Sequence, residues 1–166
     1  MLEVADINIQ LYTDGGNRNT GNVLGGSVRP TDKSAWAALL IYGEHHKMLS
    51  GADYGRTNNY MEITAVIEGL KAITKPSYQV DVYSDSAYVI NTMNERWWVK
   101  WQQNGWQKKG KPVINAELWQ ALLAQVNRFD QPPVFHKVKG HATNQHNNEV
   151  DAALNLAMDK LPARRH

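Results

Sequence analysis

Two stretches of the chain end alike. Tyr12-Thr13-Asp14-Gly15 and Tyr83-Ser84-Asp85-Ser86 each set an aspartate behind a tyrosine and a hydroxyl residue, where an alternating run gives out. Both runs, Ile7 to Thr13 and Gln79 to Ser84, carry the two-residue period of a strand. Residues two apart share a face, so each aspartate lies on the side of its tyrosine. If the strands are neighbours, Asp14 and Asp85 meet at strand ends, where α/β sheets tend to hold ligands. Each alone also fits a turn start or a helix cap. Glu62 is harder to place on a solvated surface. At helical spacing it shares a stripe with Val66, Gly69 and Ile73, the face that packs inward, whereas Glu68 falls on the other side. An inward carboxylate costs several kcal/mol, roughly, unless something positive compensates it. Acids gathered in this way repel one another, and a hard divalent cation with oxygen ligands removes the repulsion. Asp151 is a fourth candidate, read as opening the last helix after a loop over 140–148, where a helix-start acid is also common for dipole reasons.

The elements that must position these groups follow from periodicity. After the first strand, Gly15 to Ser34 holds five glycines and reads as a long loop. Ala35 to Tyr42 is a buried strand, turning at Gly43-Glu44 into a third strand near Lys47 to Ala52. A helix is predicted over Tyr60 to Thr74, ending before Pro76. Gln79 to Ser84 is the fourth strand. Ala87 to Gln103 is helical, in two pieces, and Asn115 caps another helix in which Leu118, Trp119, Leu122, Leu123 and Val126 repeat. Val134 to Val138 is the fifth strand, and Val150 to Lys160 a closing helix. This order predicts an α/β fold with a five-stranded mixed sheet flanked by helices. One domain is expected over 1–161, with 162–166 a flexible tail.

Composition narrows the classes. The 166 residues are 42% hydrophobic and 20% charged, as in a folded globular chain. The longest apolar run, Ala35 to Tyr42, is too short for a membrane helix. Zero cysteines exclude a disulfide scaffold, a thiol nucleophile and a cysteine-zinc site. The start has no charged-then-apolar leader, so the expected compartment is the cytoplasm. Charge is uneven along the chain. Through Glu95 there are 7 Lys and Arg against 11 Asp and Glu, and from Arg96 there are 11 against 5. Between Glu95 and Glu117 no acid occurs, while Arg96, Lys100, Lys108, Lys109 and Lys111 alternate with Trp97, Trp98, Trp101 and Trp106. Cations for phosphates interleaved with flat rings suit a nucleic-acid groove, although some of these tryptophans also fit a core.

Five segments taken in order, Tyr-Thr-Asp-Gly-Gly from Tyr12, Arg-Thr-Asn-Asn-Tyr-Met-Glu from Arg56, Tyr-Ser-Asp-Ser from Tyr83, Val-Lys-Gly-His from Val138 and Glu-Val-Asp from Glu149, resemble type 1 ribonuclease H over the whole chain. The resemblance implies the ribonuclease H-like fold and four metal-binding carboxylates, Asp14, Glu62, Asp85 and Asp151. It implies that His141 assists product release or proton transfer. Thr57 and Asn91, helped by Arg56, match positions that hold a phosphate of the DNA strand, and Asn58 and Asn59 match residues reaching into the minor groove. Gly15 is grouped with the substrate contacts. The basic aromatic segment resembles the protrusion that grips the DNA strand in some members, which adds Trp97, Lys100, Trp101, Lys108 and Lys109. Where relatives often carry a glutamate three residues before the last aspartate, this chain has Asn148.

The activity implied is hydrolysis of the RNA strand of an RNA–DNA hybrid, leaving 5′-phosphate and 3′-hydroxyl ends. Two Mg2+ ions about 3.5–4 Å apart, with Mn2+ able to substitute, serve that chemistry. The expected working unit is a monomer, with no membrane partner. Three other classes compete: a metal-free ribonuclease using paired histidines, a non-catalytic hybrid-binding module, and a DNA-acting relative of the same fold.

Overall fold

A computed structural model describes residues 7–18, 28–139 and 144–164. In chain order the elements are β1 (Asn8–Asn17), β2 (Lys33–Tyr42), β3 (His45–Tyr54), α1 (Asn58–Lys71), β4 (Gln79–Ser84), α2 (Ala87–Asn94), α3 (Trp97–Gln103), β5 (Gln107–Lys108), β6 (Lys111–Pro112), α4 (Ala116–Val126), β7 (Val134–Lys137) and α5 (Gln145–Lys160). Five strands form one sheet in the order β3-β2-β1-β4-β7. The pairs β1–β2 and β2–β3 are antiparallel, while β1–β4 and β4–β7 are parallel. The expected mixed sheet is therefore present, and a two-residue ladder of β5 with β6 joins it as a separate hairpin.

Side-chain alternation sorts the core into two layers. Leu11 and Ala38 face α1, α2 and α4, packing with Ile63, Val66, Leu70, Val89 and Trp119. Their neighbours Tyr12, Ala37 and Leu39 face α5 and pack with Val150, Leu154 and Met158. Because β2 is covered on both faces, it reads as a continuous apolar run rather than an alternating one. Trp119 is fully buried, and its indole N–H donates to the Tyr88 hydroxyl at 3.0 Å, so the one polar atom of that ring is satisfied.

Several boundaries differ from the sequence expectations. The segment read as a loop from Gly15 is still strand through Asn17, because Gly15, Gly16 and Asn17 pair with Trp36, Ala35 and Ser34. Ladder pairing with a strong partner outweighs the weak strand preference of glycine and asparagine. Helix α5 starts at Gln145, where the Asn144 side chain accepts the Asn147 N–H at 2.9 Å. Asp151 is thus in its second turn and does not open it. Asn115 does precede α4, but its φ of 62° is left-handed and its side chain makes no capping bond. At the far end, the Tyr54 hydroxyl bonds the Pro162 carbonyl and the Arg164 guanidinium lies 3.9 Å over the Tyr54 ring, so 162–164 pack on β3. Among the described residues no helix is long and apolar enough to cross a membrane.

Helix α1 approaches β1 across two glycines, one on each element. A Cβ on Gly69 would lie 2.6 Å from Leu11 Cδ1, and one on Gly15 would lie 2.4 Å from the Met61 carbonyl carbon and the Glu62 nitrogen. The helix therefore rests on the strand at backbone distance. Gly69→Ala should lower the melting temperature by a few degrees. Overpacking Leu11 costs about 1–3 kcal/mol, which outweighs the gain of about 1 kcal/mol in helix propensity. Thermal unfolding monitored by circular dichroism checks this, and a raised midpoint would show slack in the seam.

Candidate active site

Strands β1 and β4 run side by side, with Tyr12 opposite Tyr83 and Thr13 opposite Ser84. Asp14 and Asp85 are the next residue on each, as the shared Tyr-hydroxyl-Asp pattern implies. The two tyrosine rings stack at 4.6 Å with planes 13° apart, and Tyr83 stacks in turn on His136 at 4.8 Å. His136 Nε2 meets Asp81 Oδ1 at 2.7 Å. His146 of α5 packs against the other face of the row, 5.0 Å from Tyr12. This aromatic row ties the strands together two residues short of the acids and fixes their tips relative to one another. Asp85 is further held by the turn around it. Ser86 N–H donates to Ser84 Oγ at 3.0 Å, and the Ser86 hydroxyl accepts the Val89 N–H at 3.2 Å to start α2.

Glu62 arrives from α1. The Thr57 hydroxyl caps that helix by accepting the Tyr60 N–H at 3.0 Å. The absent side chain of Gly15 lets the backbone of residues 61 and 62 sit against β1. One carboxylate oxygen each from Asp14, Glu62 and Asp85 then lie within 4.8 Å of one another. Asp14 and Glu62 are only 6% and 8% exposed. Asp14 Oδ1 accepts the Gly15 N–H at 2.9 Å, but Glu62 Oε2 is buried with no hydrogen-bond partner. No Lys, Arg or His pairs with any of the three among the described residues. Burial, and then the Asp85 charge, pushes the Asp14 carboxyl up to about 7. Burial followed by the Asp14 and Asp85 charges holds Glu62 well above the ordinary carboxylate range. An orphaned buried oxygen and three converging carboxylates without a counter-charge fit a divalent cation.

Asp151 stands apart from this trio. It lies close enough for its charge to raise Asp14 further, yet its oxygens are not within the shared 4.8 Å. His141 lies outside the described residues.

Most of the expected substrate residues are exposed, with Arg56, Thr57, Asn58 and Asn59 forming one rim before and at the start of α1. Thr57, Asn58 and Asn59 are exposed at the start of α1, and Asn91 is exposed on α2. Arg56 Nε reaches Asp53 at 3.3 Å, and its guanidinium covers the Tyr60 ring at 4.4 Å. Asn17, which the sequence did not single out, donates to the Arg56 carbonyl at 3.2 Å and ties the end of β1 to this rim. In the basic segment, Trp97, Lys100, Lys108 and Lys109 are exposed. Trp101 is different. It is half-buried, with its ring 6.3 Å from Trp106 and 6.0 Å from the fully buried Trp119, so it does not share the open surface of Trp97. The aromatic row was also missed, although the alternation of Asp81, Tyr83 and Asp85 already puts those three on one face.

The RNase H family model matches residues 6–159. The chain belongs to the RNase H family. It is similar to the ribonuclease H of Chlorobaculum parvum, 43% identical over 154 residues that cover 90% of this chain and 94% of that one. The ribonuclease H of Clostridium botulinum is 40% identical, covering 91% and 95%. Among solved structures, LC9-RNase H1, a type 1 RNase H with the type 2 active-site motif, superposes with a TM-score of 0.80 at 22% identity, over 98% of this chain and 77% of that one. LC11-RNase H1 in complex with RNA/DNA hybrid superposes with 0.63 at 19% identity, over 92% and 97%. These likenesses agree with the five-stranded sheet and its flanking helices.

The acid cluster makes the stability of this RNase H depend on pH in an unusual direction. Between about 4 and about 7 the native Asp14 keeps a proton that the unfolded chain releases, so the native state binds more protons. Unfolding free energy then falls as pH rises through that window and levels off above it. Asp14→Asn should flatten the decline and raise the metal-free melting temperature at pH 8, at about 2–4 °C per kcal/mol. Thermal melts of both proteins in chelator across that range provide the measurement. A variant less stable than the parent at pH 8 would contradict the repulsion.

Proposed function

We propose that this RNase H cleaves the RNA strand of RNA–DNA hybrids, leaving 5′-phosphate and 3′-hydroxyl ends. The observation carrying it is the convergence of Asp14, Glu62 and Asp85 around the unpartnered Glu62 Oε2. Family membership and the named relatives support the same reading. Asp14, Glu62, Asp85 and Asp151 would hold two Mg2+ ions, with Mn2+ a substitute. Such ions, when bound, supply a nucleophilic water near neutral pH and relieve charge on the leaving oxygen. The chain's own part is to hold these acids in place, at the cost of the burial that raises Asp14 and Glu62 above the ordinary carboxylate range. The tyrosine pair beneath the aspartates and the Gly15 seam set their positions before substrate arrives, so little reorganisation is needed.

Around that centre, Thr57 and Asn91, with Arg56, take a phosphate of the DNA strand. Asn58 and Asn59 read the minor groove, where 2′-hydroxyls distinguish RNA. Gly15 lets α1 close on β1 beside Asp14, which sets the surface the RNA backbone meets. Trp97, Lys100, Lys108 and Lys109 follow the DNA strand outward, and Trp101 supports them from the edge of the core. His141 assists product release or proton transfer. The enzyme works as a monomer in the cytoplasm, where a cysteine-free chain loses nothing to reducing conditions.

Hydrolysis of a labelled hybrid with and without Mg2+ tests the assignment. Asp14→Asn and Asp85→Asn should each lower kcat by about 10³-fold or more, the equivalent of several kcal/mol, while hybrid binding persists. Near-normal turnover in either variant would reject the site. Cleavage that survives EDTA would favour the paired histidines, binding without cleavage a recognition module, and preferential cutting of duplex DNA a DNA-acting relative.

A further inference from the structure

Four cationic side chains, Arg18, Arg29, Lys33 and Arg164, line one cavity of about 330 Å³ beyond the end of β1. The cavity is built rather than incidental. Asp32 lies at its base, 1% exposed, with its Oδ2 accepting the Arg29 N–H at 2.7 Å and its own N–H returning to the Arg29 carbonyl at 2.9 Å. That turn is pinned to its neighbour, since the Gly55 N–H donates to the Asp32 carbonyl at 2.7 Å. Lys33 sits opposite Tyr54 in the ladder, and Tyr54 in turn positions Arg164 through its ring and its bond to Pro162. Arg18 is held from α5, paired with Asp159 at 2.6 Å and donating to the Asn155 carbonyl at 3.0 Å. Among the described residues no salt bridge joins the Arg29, Lys33 or Arg164 side chain to a carboxylate, and Asp32 is the one acid that lines the cavity with them.

Four cations with one carboxylate among them leave the lining of the cavity net positive, which suits an anion, and guanidinium forks match phosphate oxygens. Arg18 N–H still bonds the Lys33 carbonyl at 2.8 Å, so the extended chain continues to this point. At about 3.3 Å per residue, Arg18 is about 13 Å along β1 from Asp14. For a duplex lying along β1, one phosphate per about 3.4 Å of axis on each strand makes that distance about four nucleotides. We infer that the cavity binds a backbone phosphate of the hybrid about four nucleotides from the scissile bond, separate from the phosphate contact at Thr57 and Asn91. The inference rests on the hybrid-cleaving reading above and extends the footprint of the same substrate.

The double variant Arg29→Ala, Lys33→Ala changes two side chains outside the proposed catalytic and strand-binding groups. It should raise KM for a hybrid of about twenty base pairs by about three- to tenfold and reduce the slope of log KM against log salt by about 0.9, as for one lost phosphate contact. Its kcat should stay at the parent value. A hybrid of about six base pairs, too short to reach the cavity, should be cleaved with the parent KM, which also shows that the variant is folded. An unchanged KM and salt slope on the long hybrid overturns the inference. So does loss of inorganic phosphate binding, read by phosphorus NMR, with no change on the long hybrid, because the cavity then serves free phosphate. If the parent cleaves neither hybrid with Mg2+, the hybrid-cleaving reading itself has failed. The strand assignment falls with it, and phosphate titration of parent and variant still decides whether the cavity binds an anion.

Discussion

Three carboxylates forced together in a nearly dry pocket are the constraint around which this molecule is arranged. In water, Asp14, Glu62 and Asp85 would stay apart and fully ionised. Here burial and mutual repulsion push the Asp14 carboxyl up to about 7 and hold Glu62 well above the ordinary carboxylate range. Among the described residues no arginine or lysine pairs with them, so the surrounding fold must hold the acids where they do not wish to be. It does so with apolar contacts and backbone proximity rather than with charge. Tyr12 on Tyr83 fixes one pair of tips, and the close crossing of α1 over β1 delivers the third acid. Such a pocket is poor for stability and good for capturing a hard cation.

The same economy shapes the surface. Among the described residues no cation pairs with the three acids, while cations gather at the hairpin after α3 and at the cavity beyond β1. The acidic first half and basic second half of the chain are the linear trace of that division, although Arg18, Arg29 and Lys33 belong to the acidic half and escape a simple count.

The acids were legible in the sequence because their signals are geometric. Strand parity put Asp14 and Asp85 beside their tyrosines, and the stripe through Val66, Gly69 and Ile73 turned Glu62 inward. Elements defined by pairing rather than pattern were not legible. Gly15 to Asn17 look like a turn until β2 is laid beside them. The first turn of α5 is Gln, His, Asn and Asn with no apolar period, and only Asn144 marks its start. The β5–β6 hairpin is too short to carry a period at all. Trp101 neighbours Trp97 at helical spacing, but its packing against Trp106 and Trp119 is a tertiary contact that no period carries.

The glycine seam between α1 and β1 has a consequence for anyone wishing to harden this enzyme. Filling glycines in helices is a usual route to a sturdier protein. Here any bulk placed at Gly15 would lift the helix and carry Glu62 away from its two companions. Durability and catalysis are therefore coupled through one line of missing methyl groups, and improvement has to be sought on faces remote from it.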